Sequence, residues 1–197
     1  MDDGRADVAT EGAESLADAD TLILVDEADR EVGHMSKARC HDGRGILHRA
    51  FSLLIFNAEG ELLLQQRAAG KRLWPLYWSN SCCSHPRRSE TMDSAIHRRL
   101  YEELGLRCPL EFLFKFQYQA QWDANGAENE LCSVYIGHTP NPIRPDPAEI
   151  AGLRWVSPQQ LDDEMAQRQP GQFTPWFIME WERVWNDHRP AVVSTRS

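Results

Sequence analysis

Phe112, Phe114, Phe116 and Tyr118 occupy every second position of one segment. Side chains two apart share one face of a β-strand, so this run reads as a strand with an aromatic face. Asp123–Gly126 follows and contains an Asn-Gly pair, the dipeptide best suited to a tight hairpin turn. Glu128–Ile136 then reads as the returning strand. A hairpin of this length commits the chain to a β-sheet, and the other segments must fit around it.

Thr21–Val25 is a short apolar strand. Arg49–Phe56 is a second, rich in β-formers, and Asn57-Ala58-Glu59-Gly60 turns it into Glu61–Gln66. Thr91–Leu104 carries Met92, Ala95, Ile96 and Leu100 at helical spacing, with Gly105 as its stop. Leu153–Val156 is a further strand. Ser157-Pro158-Gln159-Gln160 resembles a capping box opening a helix near 158–167, and Thr174-Pro175 opens a last helix near 175–187. Strands and helices interleave around a mixed, partly antiparallel sheet, so the class is α+β.

The chain has 197 residues, one domain's worth. Residues 1–20 are acidic and poor in apolar side chains and read as a disordered tail. Residues 21–188 read as the folded domain, and 189–197 as a second loose tail. No apolar run approaches a membrane span of about 20 residues, and no apolar segment precedes residue 22 as a secretory signal would require. Cytoplasm is the expected compartment. The formal net charge of -9 disfavours a nucleic-acid partner. An anionic small substrate would need a local basic cluster. The five cysteines include the adjacent pair Cys82 and Cys83, which does not read as a disulfide framework.

Several groups carry chemistry. His41 and His48 bracket a glycine-bearing loop, and His85 sits in Asn80-Ser81-Cys82-Cys83-Ser84-His85-Pro86. Glu128 and Glu130, two apart on a strand, point to one face. Imidazole with carboxylate suits zinc, manganese or iron. A single histidine is more often a hydrogen-bonded structural residue, and Glu-x-Glu more often a solvated face; spacing alone does not bring the five together. Glu102 and Glu103 stand near a helix C-terminus, where the macrodipole disfavours acids unless a cation is near. Arg67, Lys71, Arg72, Arg87, Arg88, Arg98 and Arg99 offer a basic pocket, or scattered surface charge. Cys83 is a candidate acid/base group, or buried filler.

Taken in order, the motifs are His41-x6-His48, Arg67-x3-Lys71-x2-Trp74-Pro75, the Asn80–Pro86 segment, Arg98-Arg99-x-Tyr101-Glu102-Glu103-Leu104-Gly105, Tyr118, Glu128-Asn129-Glu130 and Thr174-Pro175-Trp176. This series resembles type I isopentenyl-diphosphate isomerase, a branch of the Nudix fold, from about residue 21 to 186. The resemblance implies a single domain whose mixed β-sheet is sandwiched by helices. It implies that His41, His48, His85, Glu128 and Glu130 hold one Zn²⁺ or Mn²⁺. Glu103 and the Cys83 backbone carbonyl would hold Mg²⁺. Lys37, Arg67, Lys71 and Arg99 would bind a small-molecule diphosphate, and Trp176 would face its hydrocarbon. Cys83 and Glu130 would form the acid/base pair, assisted by Tyr118, with Glu130 protonating and a Cys83 thiolate deprotonating. The implied role is isoprenoid synthesis by a soluble monomer or homodimer, with no nucleic acid or membrane.

The departures from a hydrolytic Nudix box are informative. That box reads G-x5-E-x7-R-E-U-x-E-E-x-G-U, with U apolar. Ser84 stands at its first glycine and Arg99 at its central glutamate, while Glu90, Arg98, Glu102, Glu103 and Gly105 remain. Exchanging a carboxylate for Arg weakens a multi-metal hydrolytic site and adds a phosphate binder. The rival readings are a Nudix hydrolase of a nucleoside diphosphate derivative and a non-catalytic, metal-stabilised binding domain.

Overall fold

The computed structural model describes residues 21–193. Its strands are β1 (Thr21–Val25), β2 (Glu31–Ser36), β3 (His48–Phe56), β4 (Leu62–Arg67), β5 (Trp78–Ser79), β6 (Cys82–Ser84), β7 (Leu110–Gln121), β8 (Ala127–His138) and β9 (Ile150–Val156). Its helices are α1 (Lys37–Cys40), α2 (Met92–Leu104), α3 (Pro158–Ala166), α4 (Pro175–Asp187) and α5 (Arg189–Val193). The expected tail at residues 1–20 lies outside the described residues.

All nine strands join one mixed sheet. β3 is its axis. Along one edge β3 runs parallel to β8, from His48 opposite Glu130 to Phe56 opposite His138. It also pairs antiparallel with β1, β6 and β4 in turn, each over a short stretch. β7 and β8 form the long antiparallel hairpin that the aromatic alternation announces. β9 closes on β4.

The side chains of β3 alternate between two cores, as the pleat requires. Ala50, Leu54 and Phe56 join Val134, Trp176, Phe177 and Trp181 beneath α4. Phe51, Leu53 and Ile55 join Ile96, Leu100 and Leu104 beneath α2. Helices therefore cover both faces of the sheet. At α2, Thr91 Oγ1 accepts from the Ser94 amide and Gly105 closes the helix at φ 66°. Glycine adopts that left-handed conformation without the strain a Cβ would bring. At α3, Ser157 and Gln160 form the expected reciprocal capping box.

Four elements left no readable signal. β2 is a largely exposed edge strand with little apolar alternation. α1, β5 and β6 are four, two and three residues long, too short for a period to show. In the stretch expected to be a loose C-terminal tail, Arg189–Val193 instead forms a helix, and Val192 is 1% exposed in the α4 core.

The packing of α2 is directly testable. Leu100 is fully buried against β3, whereas its neighbour Tyr101 is 51% exposed. Leu100→Ala is expected to lower the unfolding free energy by about 2–5 kcal/mol, and Tyr101→Ala by less than about 1 kcal/mol, in urea denaturation. Equal losses would mean that α2 does not dock through this face.

Candidate metal centre and active site

Strand register does most of the assembly. Glu130 on β8 lies opposite Tyr118 on β7 and opposite His48 on β3. Three side chains from distant parts of the sequence thus stand side by side on one sheet face. Glu128, two residues earlier, shares that face. On the other edge of β3, β6 runs antiparallel with Cys83 opposite Ser52 and Ser84 opposite Phe51. Continuing in that direction brings His85 back toward His48. The pleat also divides the two adjacent cysteines: Cys82 enters the α2 core and Cys83 packs toward the α4 side.

His41 arrives by a loop. α1 ends at Cys40, and the chain turns through Gly43 (φ 60°) and Gly45 (φ 71°) before entering β3. A Cβ on Gly45 would stand 3.1 Å from Asn129 Cβ and 3.2 Å from the Ala127 carbonyl. Only glycine lets this loop lie so close to β8. His41 and His48 are thereby folded onto the same face.

The three imidazoles converge, with ring centroids 4.9, 5.3 and 4.8 Å apart. One donor atom from each of His41, His48, His85, Glu128 and Glu130 lies within 4.8 Å of all the others, and all five residues are buried. The outer nitrogens are already committed. His41 Nδ1 donates to the Lys37 carbonyl at 2.6 Å and His48 Nδ1 donates to the Ile46 carbonyl at 2.7 Å. A carbonyl can only accept, so in the neutral rings the Nε2 lone pairs face inward. His41 Nε2 is 2.8 Å from Glu128 Oε2, and that buried oxygen has no hydrogen-bond partner. Buried His48 Nε2 has none either, 3.6 Å from Glu130 Oε1. Acceptors facing acceptors in a buried site fit a cation between them. Three imidazoles and two carboxylates are a donor set for a divalent transition ion. This group could hold a metal.

Glu130 has the densest surroundings. Tyr118 Oη donates to its Oε2 at 2.7 Å, and His85 Nε2 lies 2.8 Å from its Oε1. Burial alone would raise its pKa. The neighbouring His48 and His85 prevail and hold Glu130 well below the usual carboxylate range. Burial also lowers His85 to about 3, which keeps it neutral, the form a metal ligand requires.

Beside this cluster is a cavity of about 350 Å³, within the usual range for small-molecule sites. Cys83, Glu130, Tyr118 and Trp176 line it, and so do Lys37, Arg67, Lys71 and Arg99. The thiol and the glutamate therefore open onto one space. Glu103 is not among the lining residues; it is 2% exposed and ion-paired with Arg99. Arg87, Arg88 and Arg98 do not line the cavity. Arg87 bridges to β1 at Leu22, and Arg98 is bound to Glu90 at 2.7 Å. Arg67 is partly spent on structure: it donates to the Leu73 and Trp74 carbonyls and lies 5.3 Å over the Trp176 ring. Arg72 joins three loops at the rim, through Asp42, the Ala38 carbonyl and the Asn125 carbonyl.

Burial pushes the Cys83 thiol up to about 12, with Arg67 opposing and Glu103 and Glu130 adding to the rise. Burial therefore works against the thiolate expected at Cys83, and the Arg67 guanidinium works for it.

One buried network was missed in the sequence. Trp176 Nε1 donates to Asn80 Oδ1 at 3.3 Å, Asn80 Nδ2 donates to Ser52 Oγ at 3.2 Å, and Ser52 Oγ donates to Glu180 Oε1 at 2.5 Å. Burial pushes Glu180 up to about 8. A signal existed: Glu180 sits one turn after Trp176, on the otherwise apolar face of α4. Glu149, which also lines the cavity, lies in the turn just before β9 and gave no signal.

Comparison with known proteins places the chain in a family. The NUDIX domain family model matches residues 46–177, more than half of the chain. Isopentenyl-diphosphate Delta-isomerase 1 of Photorhabdus laumondii is 40% identical over 172 residues, covering 86% of this chain and 97% of that protein. Isopentenyl-diphosphate Delta-isomerase of Nocardia farcinica is 46% identical over 155 residues, covering 78% and 88%. The crystal structure of DR0079 from Deinococcus radiodurans superposes with a TM-score of 0.69 at 20% identity, covering 84% of this chain and 99% of that one, a likeness of fold. The chain belongs to the isopentenyl-diphosphate Delta-isomerase family, on a NUDIX domain.

Proposed function

We propose that this protein converts isopentenyl diphosphate to dimethylallyl diphosphate, with residues 21–188 as the catalytic unit. The observation that carries the reading is the shared cavity, with Cys83 and Glu130 on its wall and Lys37, Arg67, Lys71, Arg72 and Arg99 beside them. Arg99, at the position of a hydrolase carboxylate, supports isomerisation over hydrolysis.

The reaction moves a double bond. A proton adds to the terminal methylene, a tertiary carbocation forms, and the carbon nearer the diphosphate loses a proton. An unactivated alkene is a poor base, so the acid must be positioned and water kept away. Trp176 is 2% exposed and Tyr118 6% exposed, and they supply a dry apolar wall. An indole face beside the cation contributes roughly 0.5–2 kcal/mol, too little against the 8 kcal/mol or so that even modest enzymes supply. Positioned proton transfer and fixed charges must supply the rest.

In this reading the Tyr118–Glu130 pair gives the proton, which the Tyr118 hydroxyl carries because Glu130 itself is held ionised, and Cys83, once deprotonated, takes one. A thiolate is the costly state of Cys83 in this pocket, and receiving a proton relieves that cost. Arg67 favours the thiolate, and so would a cation beside the Cys83 carbonyl. Lys37, Lys71, Arg67 and Arg99 hold the diphosphate. His41, His48, His85, Glu128 and Glu130 would hold Zn²⁺ or Mn²⁺, and Glu103 with the Cys83 carbonyl would hold Mg²⁺. Bound there, these ions supply fixed positive charge that stabilises anionic forms of their neighbours. Among the described residues no helix is long and apolar enough to cross a membrane. We place the enzyme in the cytoplasm, as a monomer or homodimer acting on a small molecule.

Incubation with isopentenyl diphosphate in deuterated water should yield dimethylallyl diphosphate with deuterium in the new methyl, read by mass spectrometry. Release of inorganic phosphate or diphosphate without that product would overturn the reading. Cys83→Ala should lower kcat at least about 10³-fold while metal analysis finds the tightly held ion still present. Near-normal turnover in that variant would remove Cys83 from the chemistry.

A further inference from the structure

Lys71 and Arg99 are already taken. Lys71 Nζ is paired with Glu149 Oε2, and Arg99 Nη2 lies 3.2 Å from Glu149 Oε1. Arg99 also pairs with Glu102 at 2.8 Å and with Glu103. Two cations thus face three carboxylates at the place where a diphosphate has to sit. A diphosphate arriving alone would have to break both Glu149 pairs and then lie against an uncompensated carboxylate. Like charges at contact distance in a partly buried pocket strongly oppose this.

Glu149 is held where it can play this part. Its carbonyl accepts the Ala68 amide at 2.9 Å, so it is tied to the loop that carries Lys71. Its amide donates to the Asp146 carbonyl at 3.0 Å, and the Asp146 amide donates to the Glu103 carbonyl at 2.9 Å, which ties it to the end of α2. The backbone is fixed, while the side chain keeps 24% exposure and can swing. The carboxylate spans the two cations as two oxygens of a phosphate would.

We propose that Glu149 is a specificity-determining residue of the diphosphate pocket, a resident anion that yields Lys71 and Arg99 only to a diphosphate accompanied by a divalent cation. The accompanying ion offsets the charge of the displaced carboxylate, so the pair enters where the bare anion is refused. This inference rests on the diphosphate reading of the cavity.

The test is calorimetric titration of the full chain with inorganic diphosphate, in buffer stripped of free divalent ions and again with Mg²⁺. The native protein should bind at least tenfold more tightly with Mg²⁺ than without it. Glu149→Gln should bind the metal-free ligand at least tenfold more tightly than the native chain, and its Mg²⁺ advantage should shrink. Glu149→Asp keeps the charge on a shorter arm and should retain most of the native preference. An equal loss of affinity in Glu149→Gln with and without Mg²⁺ would make Glu149 a loop anchor and overturn the proposal. So would metal-free affinity that is unchanged. If the native chain ignores inorganic diphosphate even with Mg²⁺, the diphosphate reading itself fails and this proposal fails with it.

Discussion

The site depends on one contact across three strands: Glu130 beside His48 on one edge and Tyr118 on the other. A register slip of one residue in β8 would send Glu130 and Glu128 to the α2 side and leave three buried imidazoles without an anion. Such a slip is opposed by the cores. Val134 and Ile136, on the same strand, would leave the α4 core at the same time. Apolar packing at one end of the hairpin therefore enforces polar geometry at the other. Removing one partner of a buried charged pair commonly costs about 3–5 kcal/mol, so the cluster is stable only as a set.

The chain solves two opposed electrostatic problems within one cavity. Proton transfer to carbon needs a dry wall, and burial drives Cys83 up to about 12 and Glu180 up to about 8. Diphosphate binding needs charge, and two of the cations placed for it, Lys71 and Arg99, are paired with acids of the chain itself. Arg99 shows the result, a guanidinium with Glu102, Glu103 and Glu149 around it. With a formal net charge of -9, the protein as a whole works against an anion, and this basic patch opposes that field locally.

Much of this was legible in the sequence. Alternation exposed β7 and β8, helical spacing with caps exposed α2, and the ordered motifs pointed to the family. What was not legible has physical causes. β6 is three residues long and shows no period, yet its register sets Cys83 opposite Ser52. The convergence of His41, His48, His85, Glu128 and Glu130 is a tertiary fact that no spacing encodes. The desolvation of Cys83 was hidden as well, because basic neighbours are visible in a sequence and burial is not. Glu149 was hidden because its partners lie 50 and 78 positions away. Glu180 was visible as a charge on an apolar helix face and was passed over.

The central claim is that the metal centre and the thiol are separate devices on one cavity, joined only by what they act on. X-ray absorption at the metal edge of the loaded protein tests it most directly. The account predicts a first shell of nitrogen and oxygen at about 2.0–2.2 Å with imidazole scattering. A sulfur scatterer near 2.3 Å would make residue 83 a ligand and contradict the account.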